Sequence, residues 1–227
     1  GGDQGRLPLA YVDRRGTFAD GYRLGCRTRC RDSLILQTPE GLGARFGSDV
    51  QVRHEVTKID RANRTVTVRD LDTGSESQTE YDVLILSPGA STIIPPLPGI
   101  ERALPLRNVE DVDRLFERIE QQPKHATVIG GGFIGLEAVE NLRHRDIAVT
   151  LLEAAPQVLT PLDIEMVTPI ADALRFHDVD LRLNTTAVGI TETAVKLADG
   201  SEVPTDLVIL AIGVRPDTTL AAAAGLE

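Results

Sequence analysis

Cysteine is nearly absent from this chain. The two that occur, Cys26 and Cys30, cannot build the disulfide framework of a small secreted domain. No further ligands stand near them to complete a zinc site, so no metal is expected. Long apolar runs are missing too. None approaches the roughly 20 residues that a bilayer requires, and the N-terminus lacks the charged start and apolar stretch of a secretion signal. A cytoplasmic protein without a membrane partner is the expectation. Positive charge is in deficit: 24 Lys and Arg stand against 34 Asp and Glu, for a net charge of −10. Such a balance repels nucleic acid and anionic surfaces, which leaves a small or nucleotide-like ligand.

What is present reads as an ordinary globular chain. Hydrophobic residues make up 41% and charged residues 26% of 227 positions, enough length to bury one large or two smaller cores. Residues 1–30 are polar, rich in Gly and Arg, and without sustained period, and they stay unassigned. Thr38 followed by Pro39 marks a short helix start. From Val50 the pattern turns to period two through Val52, Val56, Val66 and Val68. Turns at Ala62-Asn63 and Asp72-Thr73-Gly74 predict a small antiparallel meander. It leads into Asp82–Leu86, a continuous apolar run of the kind buried on both faces of a sheet. The segment Pro95-Pro96-Leu97-Pro98-Gly99 then reads as a rigid crossing between domains.

Beyond the crossing the order becomes helix and strand in alternation. Asn108 caps a helix carrying Val109, Val112, Leu115, Phe116 and Ile119 toward the core. A strand from Ala126 is followed by a glycine turn, a helix at about 133–145, a strand Val149–Glu153, a helix at about 163–177 and a strand Asp180–Leu183. A polar hairpin turning at Asp199-Gly200 precedes a second buried strand, Leu207–Ala211. The alternation predicts a parallel sheet with crossover helices.

The chemistry concentrates in Gly130-Gly131-Gly132-Phe133-Ile134-Gly135. Gly130 allows the tight turn out of the strand, Gly132 lets backbone approach a pyrophosphate, and Gly135 lets the next helix pack closely on the sheet. The helix N-terminus then receives the phosphates. An acidic residue, Glu153, ends the next strand 18 residues after Gly135. There it would bond the adenosine ribose and repel a 2′-phosphate, favouring NAD(H) over NADP(H). Glu137 is placed in the first helical turn, where the dipole favours a carboxylate whether or not a ligand is bound. Phe133, a large aromatic between glycines, suits a residue that covers a ligand. Cys26 and Cys30, among Arg27, Arg29 and Arg31, are weak candidates for a redox pair against a reading as ordinary free thiols.

Taken with Arg31-Asp32-Ser33-Leu34, Thr38-Pro39-Glu40, Tyr81–Ala90, Pro95–Ile100 and Asp206–Pro216, the glycine motif resembles the pyridine nucleotide-disulfide oxidoreductase family. The resemblance is closest to the coenzyme A-disulfide reductase, NADH oxidase and persulfide reductase group. It implies an α/β fold in which a Rossmann-type NAD-binding domain interrupts an FAD-binding domain carrying the meander. The divisions expected are 1–30 unassigned, 31–106 partial FAD-binding domain, 107–215 NAD-binding domain, and 216–227 the return to the FAD domain. It implies NAD(H) and FAD as cofactors and a hydride passed from NADH to flavin, then to a disulfide, persulfide or oxygen. Gly130, Gly131, Gly132, Phe133, Ile134, Gly135, Glu137, Glu153 and Gly213 match the NAD site, with Phe133 as a gate over the nicotinamide position. Val56, Ser87, Pro88 and Gly89 match FAD-contacting backbone. No flavin-type glycine motif is read before residue 31, and the family's second FAD motif and dimerisation domain are not seen. The chain therefore reads as an incomplete copy of doubtful activity alone, with the family's homodimer in question. A non-catalytic NAD-binding module and a ferredoxin or rubredoxin reductase-like flavoprotein are the alternatives.

Overall fold

The computed structural model describes residues 9–11 and 36–226, and Cys26, Cys30 and Arg31–Leu34 lie outside the described residues. The chain divides into two compact units. The first comprises described residues 9–11, 36–91 and 215–226. Its strand β1 (Leu9–Tyr11) pairs in parallel with β2 (Asp49–Gln51). Helix α1 (Pro39–Phe46) begins as its sequence demands: the Gly41 amide donates to Thr38 Oγ1 at 3.1 Å, and Gly47 closes the helix at φ 63°.

Strands β3 (His54–Asp60), β4 (Thr65–Asp70) and β5 (Glu76–Glu80) form the antiparallel meander. Val50 and Val52, read from sequence as its start, lie instead in β2 and the turn after it. Alternation turns Ile59, Val66 and Val68 inward to a small core, joined by Val56, Leu84 and Leu86. The run Asp82–Leu86 departs from its sequence expectation. It forms no strand, and Val83 and Ile85 are 82% and 86% exposed. A doubly buried strand needs hydrogen-bonded neighbours and a layer on each face. Here the run pairs with no strand, and of its apolar residues only Leu84 and Leu86 pack on the small core. A short strand, β6 (Ala90–Thr92), follows.

The second unit, Thr92–Val214, is built on a parallel sheet. Its strands and crossovers are, in order, β7 (Ala103–Pro105), helix α2 (Val109–Glu120), β8 (His125–Ile129), helix α3 (Phe133–Arg143), β9 (Ala148–Leu152), helix α4 (Ile164–Phe176) and β10 (Val179–Arg182). A meander of β11 (Ala187–Ile190), β12 (Ala194–Leu197) and β13 (Glu202–Pro204) intervenes before β14 (Leu207–Leu210). The sheet runs β10, β9, β8, β14, β7. Helix α2 starts at a reciprocal cap, in which Asn108 Oδ1 accepts the Asp111 amide at 2.8 Å and Asp111 Oδ2 accepts the Asn108 amide at 3.2 Å. Strand β7 carries the sheet back to residue 103, ahead of the start at 107 expected from sequence. Three residues ending in proline carry no periodic signal.

Both faces of this sheet are covered. Ala126, Val128, Val149, Leu151, Leu207 and Ile209 meet Leu115, Ala138, Leu142 and Val167 of the helices. Ile129, Leu152, Val208 and Leu210 meet Val195, Leu197 and Val203 of the meander. Each large side chain so buried contributes about 1.5–3 kcal/mol. The continuous apolar sequence of β14 is thereby explained: no position on it faces water. After β15 (Val214–Pro216), the chain ends in helix α5 (Thr219–Ala223), whose Leu220 joins the core of the first unit. No helix among the described residues is long and apolar enough to cross a membrane.

Candidate functional site

In the second unit β8 lies between β9 and β14: the chain leaves β8 for β9 on one side, runs on to β10, and returns to β14 on the other side of β8, so the strand order reverses there. A crevice opens at the carboxyl ends of strands at such a reversal. The glycine turn occupies that position. Gly130 has φ 110°, and a Cβ there would stand 2.4 Å from the Ala211 carbonyl oxygen, where β14 ends. A Cβ on Gly135 would stand 1.9 Å from the Gly130 carbonyl oxygen. Both glycines therefore serve close packing of backbone on backbone. Gly132 differs: a Cβ there meets no atom within 4 Å. Its φ of −78° and ψ of −176° suit any residue, so neither packing nor strain in the protein calls for glycine. Room beside the backbone does.

Helix α3 opens with Gly132 as its N-cap, and no side chain caps it. Its first amides have no intrahelical acceptor, and the first turn carries no acidic residue. Uncapped amides, the positive end of the helix and open space at Gly132 make a cradle for a pyrophosphate. A dinucleotide fits the residues present.

Glu153 follows β9 directly, beside the turn. Its Oε2 accepts the Gly131 amide at 2.6 Å, and its Oε1 accepts the Ala155 amide at 2.8 Å. Hydrogen bonds to a charged acceptor are worth about 1.5–3 kcal/mol each. The Gly131 carbonyl is held as well, by the Leu159 amide at 2.9 Å. Leu159 is buried and sits at φ 48°, a conformation costly for a branched residue and kept here by its surroundings. From the far side, the Thr185 amide donates to the Glu153 carbonyl at 2.9 Å and the Asn184 amide to that of Ala155 at 3.0 Å. Sequence reasoning missed Leu159, because nothing in a leucine announces a left-handed backbone. It also gave Gly131 no reason of its own. A Cβ on Gly131 would stand 3.0 Å from both Glu153 Oε2 and Val158 Cγ1.

Other candidates fall as follows. Phe133 and Ile134 begin α3, directly after the glycine turn, and are 68% and 41% exposed. Glu137 needs correction, since α3 starts at Phe133 and puts Glu137 in the second turn. Burial first, and the Glu140 charge second, hold its carboxyl above the ordinary carboxylate range. Gly213 has φ 103° just past β14, with its carbonyl accepting the Ile93 amide at 3.1 Å. It therefore stands at the carboxyl end of the strand next to β8.

The first unit holds the remaining four. Val56 lies in β3 against the small core. Ser87, Pro88 and Gly89 are exposed, with Gly89 at φ 78° and its carbonyl accepting the Asp217 amide at 3.0 Å. Among the described residues of this unit there is no strand, glycine turn and helix to receive a second pyrophosphate. These residues alone do not make an FAD cradle.

Comparison with known proteins bears on the whole of this arrangement. A family model described as pyridine nucleotide-disulphide oxidoreductase matches residues 15–227. Coenzyme A disulfide reductase of Staphylococcus haemolyticus is 33% identical over 214 residues, 92% of this chain and 48% of that protein. The crystal structure of reduced Bacillus anthracis CoADR-RHD superposes with a TM-score of 0.82 at 47% identity, covering 87% of this chain and 36% of that one. The water-forming NADH oxidase from Lactobacillus brevis, bound to NADH, superposes with a TM-score of 0.79 at 30% identity, covering 94% and 49%. The chain spans about half the length of the curated relatives it matches.

Proposed function

The chain belongs to the pyridine nucleotide-disulphide oxidoreductase family, and on that premise we propose that it serves an FAD-dependent NADH oxidoreductase whose second unit binds NADH. FAD, when bound, would supply the acceptor for the hydride of NADH and the donor of electrons to a disulfide, persulfide or oxygen. On this reading the enzyme works in the cytoplasm, where it would draw on NADH.

The observation that carries the reading is Gly132. A glycine with empty space beside it, on unconstrained backbone, at an uncapped helix N-terminus, is explained by a ligand that uses the space. On this reading Gly132 and the first amides of α3 hold the pyrophosphate. Glu153 faces the adenosine ribose, where its fixed negative charge opposes a 2′-phosphate. Gly213 borders the nicotinamide, and Phe133 covers the position until the ring arrives. In the first unit, Val56 and Ser87 to Gly89 touch one side of the flavin. Glu137, four residues along the same helix from Phe133, completes the set given to the dinucleotide, its carboxyl raised first by burial and then by the Glu140 charge.

The test is a titration of protein supplied with FAD, under exclusion of oxygen, with NADH and separately with NADPH. Bleaching of bound flavin by NADH, and much slower bleaching by NADPH, is the expected result. Faster reduction by NADPH would contradict the role given to Glu153. Binding of NADH without bound flavin or bleaching would leave a nucleotide-binding module and refute the enzyme.

A further inference from the structure

Glu153 has two oxygens, and each of them accepts a main-chain N–H. Gly131 N–H lies 2.6 Å from Oε2, and Ala155 N–H lies 2.8 Å from Oε1. Those two amides belong to different segments, the glycine turn after β8 and the loop after β9. The carboxylate joins them. The same loop returns at Leu159, whose amide binds the Gly131 carbonyl at 2.9 Å, so the Gly131 residue is held at its N–H and at its C=O. A carboxylate oxygen has capacity for a second hydrogen bond, and a ribose hydroxyl can be taken without releasing either amide.

We propose that Glu153 is a positioning residue for the pyrophosphate turn, in addition to facing the ribose: its carboxylate sets the shape of Gly130–Gly132 before any nucleotide arrives. The proposal rests on the reading of this crevice as a dinucleotide site. Its physical content is preorganisation. A glycine-rich turn has more conformational freedom to lose than any other backbone, and fixing it in the binding shape removes that loss from the binding step. Neutral glutamine cannot replace the clip, because its single acceptor oxygen can face only one of the two amides. Its NH2 group would then meet the other N–H, donor against donor. Changing residue 153 to admit a 2′-phosphate therefore also loosens the turn, and cofactor choice and pyrophosphate affinity are coupled through one side chain.

The experiment uses two probes, ADP and 2′,3′-dideoxy-ADP, the second of which has no ribose hydroxyl for a carboxylate to bind. Affinities are measured by calorimetry on the full chain and on Glu153→Gln, at high salt so that loss of the charge is screened. The expected result is that Glu153→Gln weakens dideoxy-ADP about tenfold, and ADP by more. A readout independent of binding accompanies it. In ligand-free protein the Gly131 amide should exchange slowly with solvent and resonate downfield, and in Glu153→Gln it should lose both properties while the β8 and β14 amides keep their protection. Unchanged affinity for dideoxy-ADP in the variant, or a freely exchanging Gly131 amide in the unmodified chain, would overturn the proposal, and the second holds even if the variant does not fold. If the unmodified chain binds neither probe, the dinucleotide reading falls and the proposal with it.

Discussion

Two stretches of this chain are nearly the same sequence and have opposite fates. Asp82-Val83-Leu84-Ile85-Leu86 and Asp206-Leu207-Val208-Ile209-Leu210 each put four apolar residues after an aspartate, and each reaches a glycine three residues beyond its last leucine. Leu207–Leu210 is a strand with every residue buried, paired on one side with β8 and on the other with β7. Residues 82–86 form no strand, and Ile85 is among the most exposed apolar side chains described. Composition alone does not make a buried strand. Neighbours on both edges and a layer on both faces do, and the second unit has them in the helices and the meander of β11–β13.

The largest effect expected from this contrast comes from a charge at matched positions. Ile209→Asp puts an unpaired carboxylate where no water reaches, and should cost more than about 4 kcal/mol and prevent the second unit from folding. Ile85→Asp should change stability by no more than about 0.5 kcal/mol. Urea denaturation followed by circular dichroism measures both. A large cost at 85 would mean that this run has a cover in solution.

Next in size is Gly135→Ala, whose methyl would collide with the Gly130 carbonyl at 1.9 Å. Overpacking of backbone on backbone should cost about 3 kcal/mol and lower the melting temperature measurably. If the variant melts like the parent, helix α3 does not press on the turn.

Smaller still are the glycines that end the two runs. Gly213 and Gly89 share a positive φ, 103° and 78°. Replacement by alanine should cost about 1–2 kcal/mol at either place, since the penalty is conformational. Equal costs would show that the turns are alike where the strands are not, and a cost at Gly213 alone would show that only the buried run keeps its turn shape in solution.

Much of this was legible in the sequence, for reasons that also explain the rest. Asn108 and Thr38 name their helices because a cap is a local bond between a side chain and nearby amides. The glycine motif was legible because its spacing states three local needs, and Glu153 fell beside it because a crossover helix of ordinary length fixes the distance. Asp82–Leu86 misled because periodicity shows which residues are apolar and not what covers them. Strand β7 was hidden by being three residues long at a sheet edge. Glu137 was misplaced by a turn because the helix begins at Phe133, inside the glycine motif itself. The left-handed Leu159 that holds Gly131 is set by tertiary packing, which no local rule reaches.

The central claim is that the space beside Gly132 belongs to a pyrophosphate, and calorimetric titration of NADH into the unmodified chain and into Gly132→Val tests it most directly. A Cβ there meets no protein atom within 4 Å, and the backbone is open to any residue, so Gly132→Val should cost only about 1 kcal/mol, the loss of a favoured N-cap residue, while NADH binding disappears. A folded Gly132→Val that binds NADH as tightly as the parent would contradict the account.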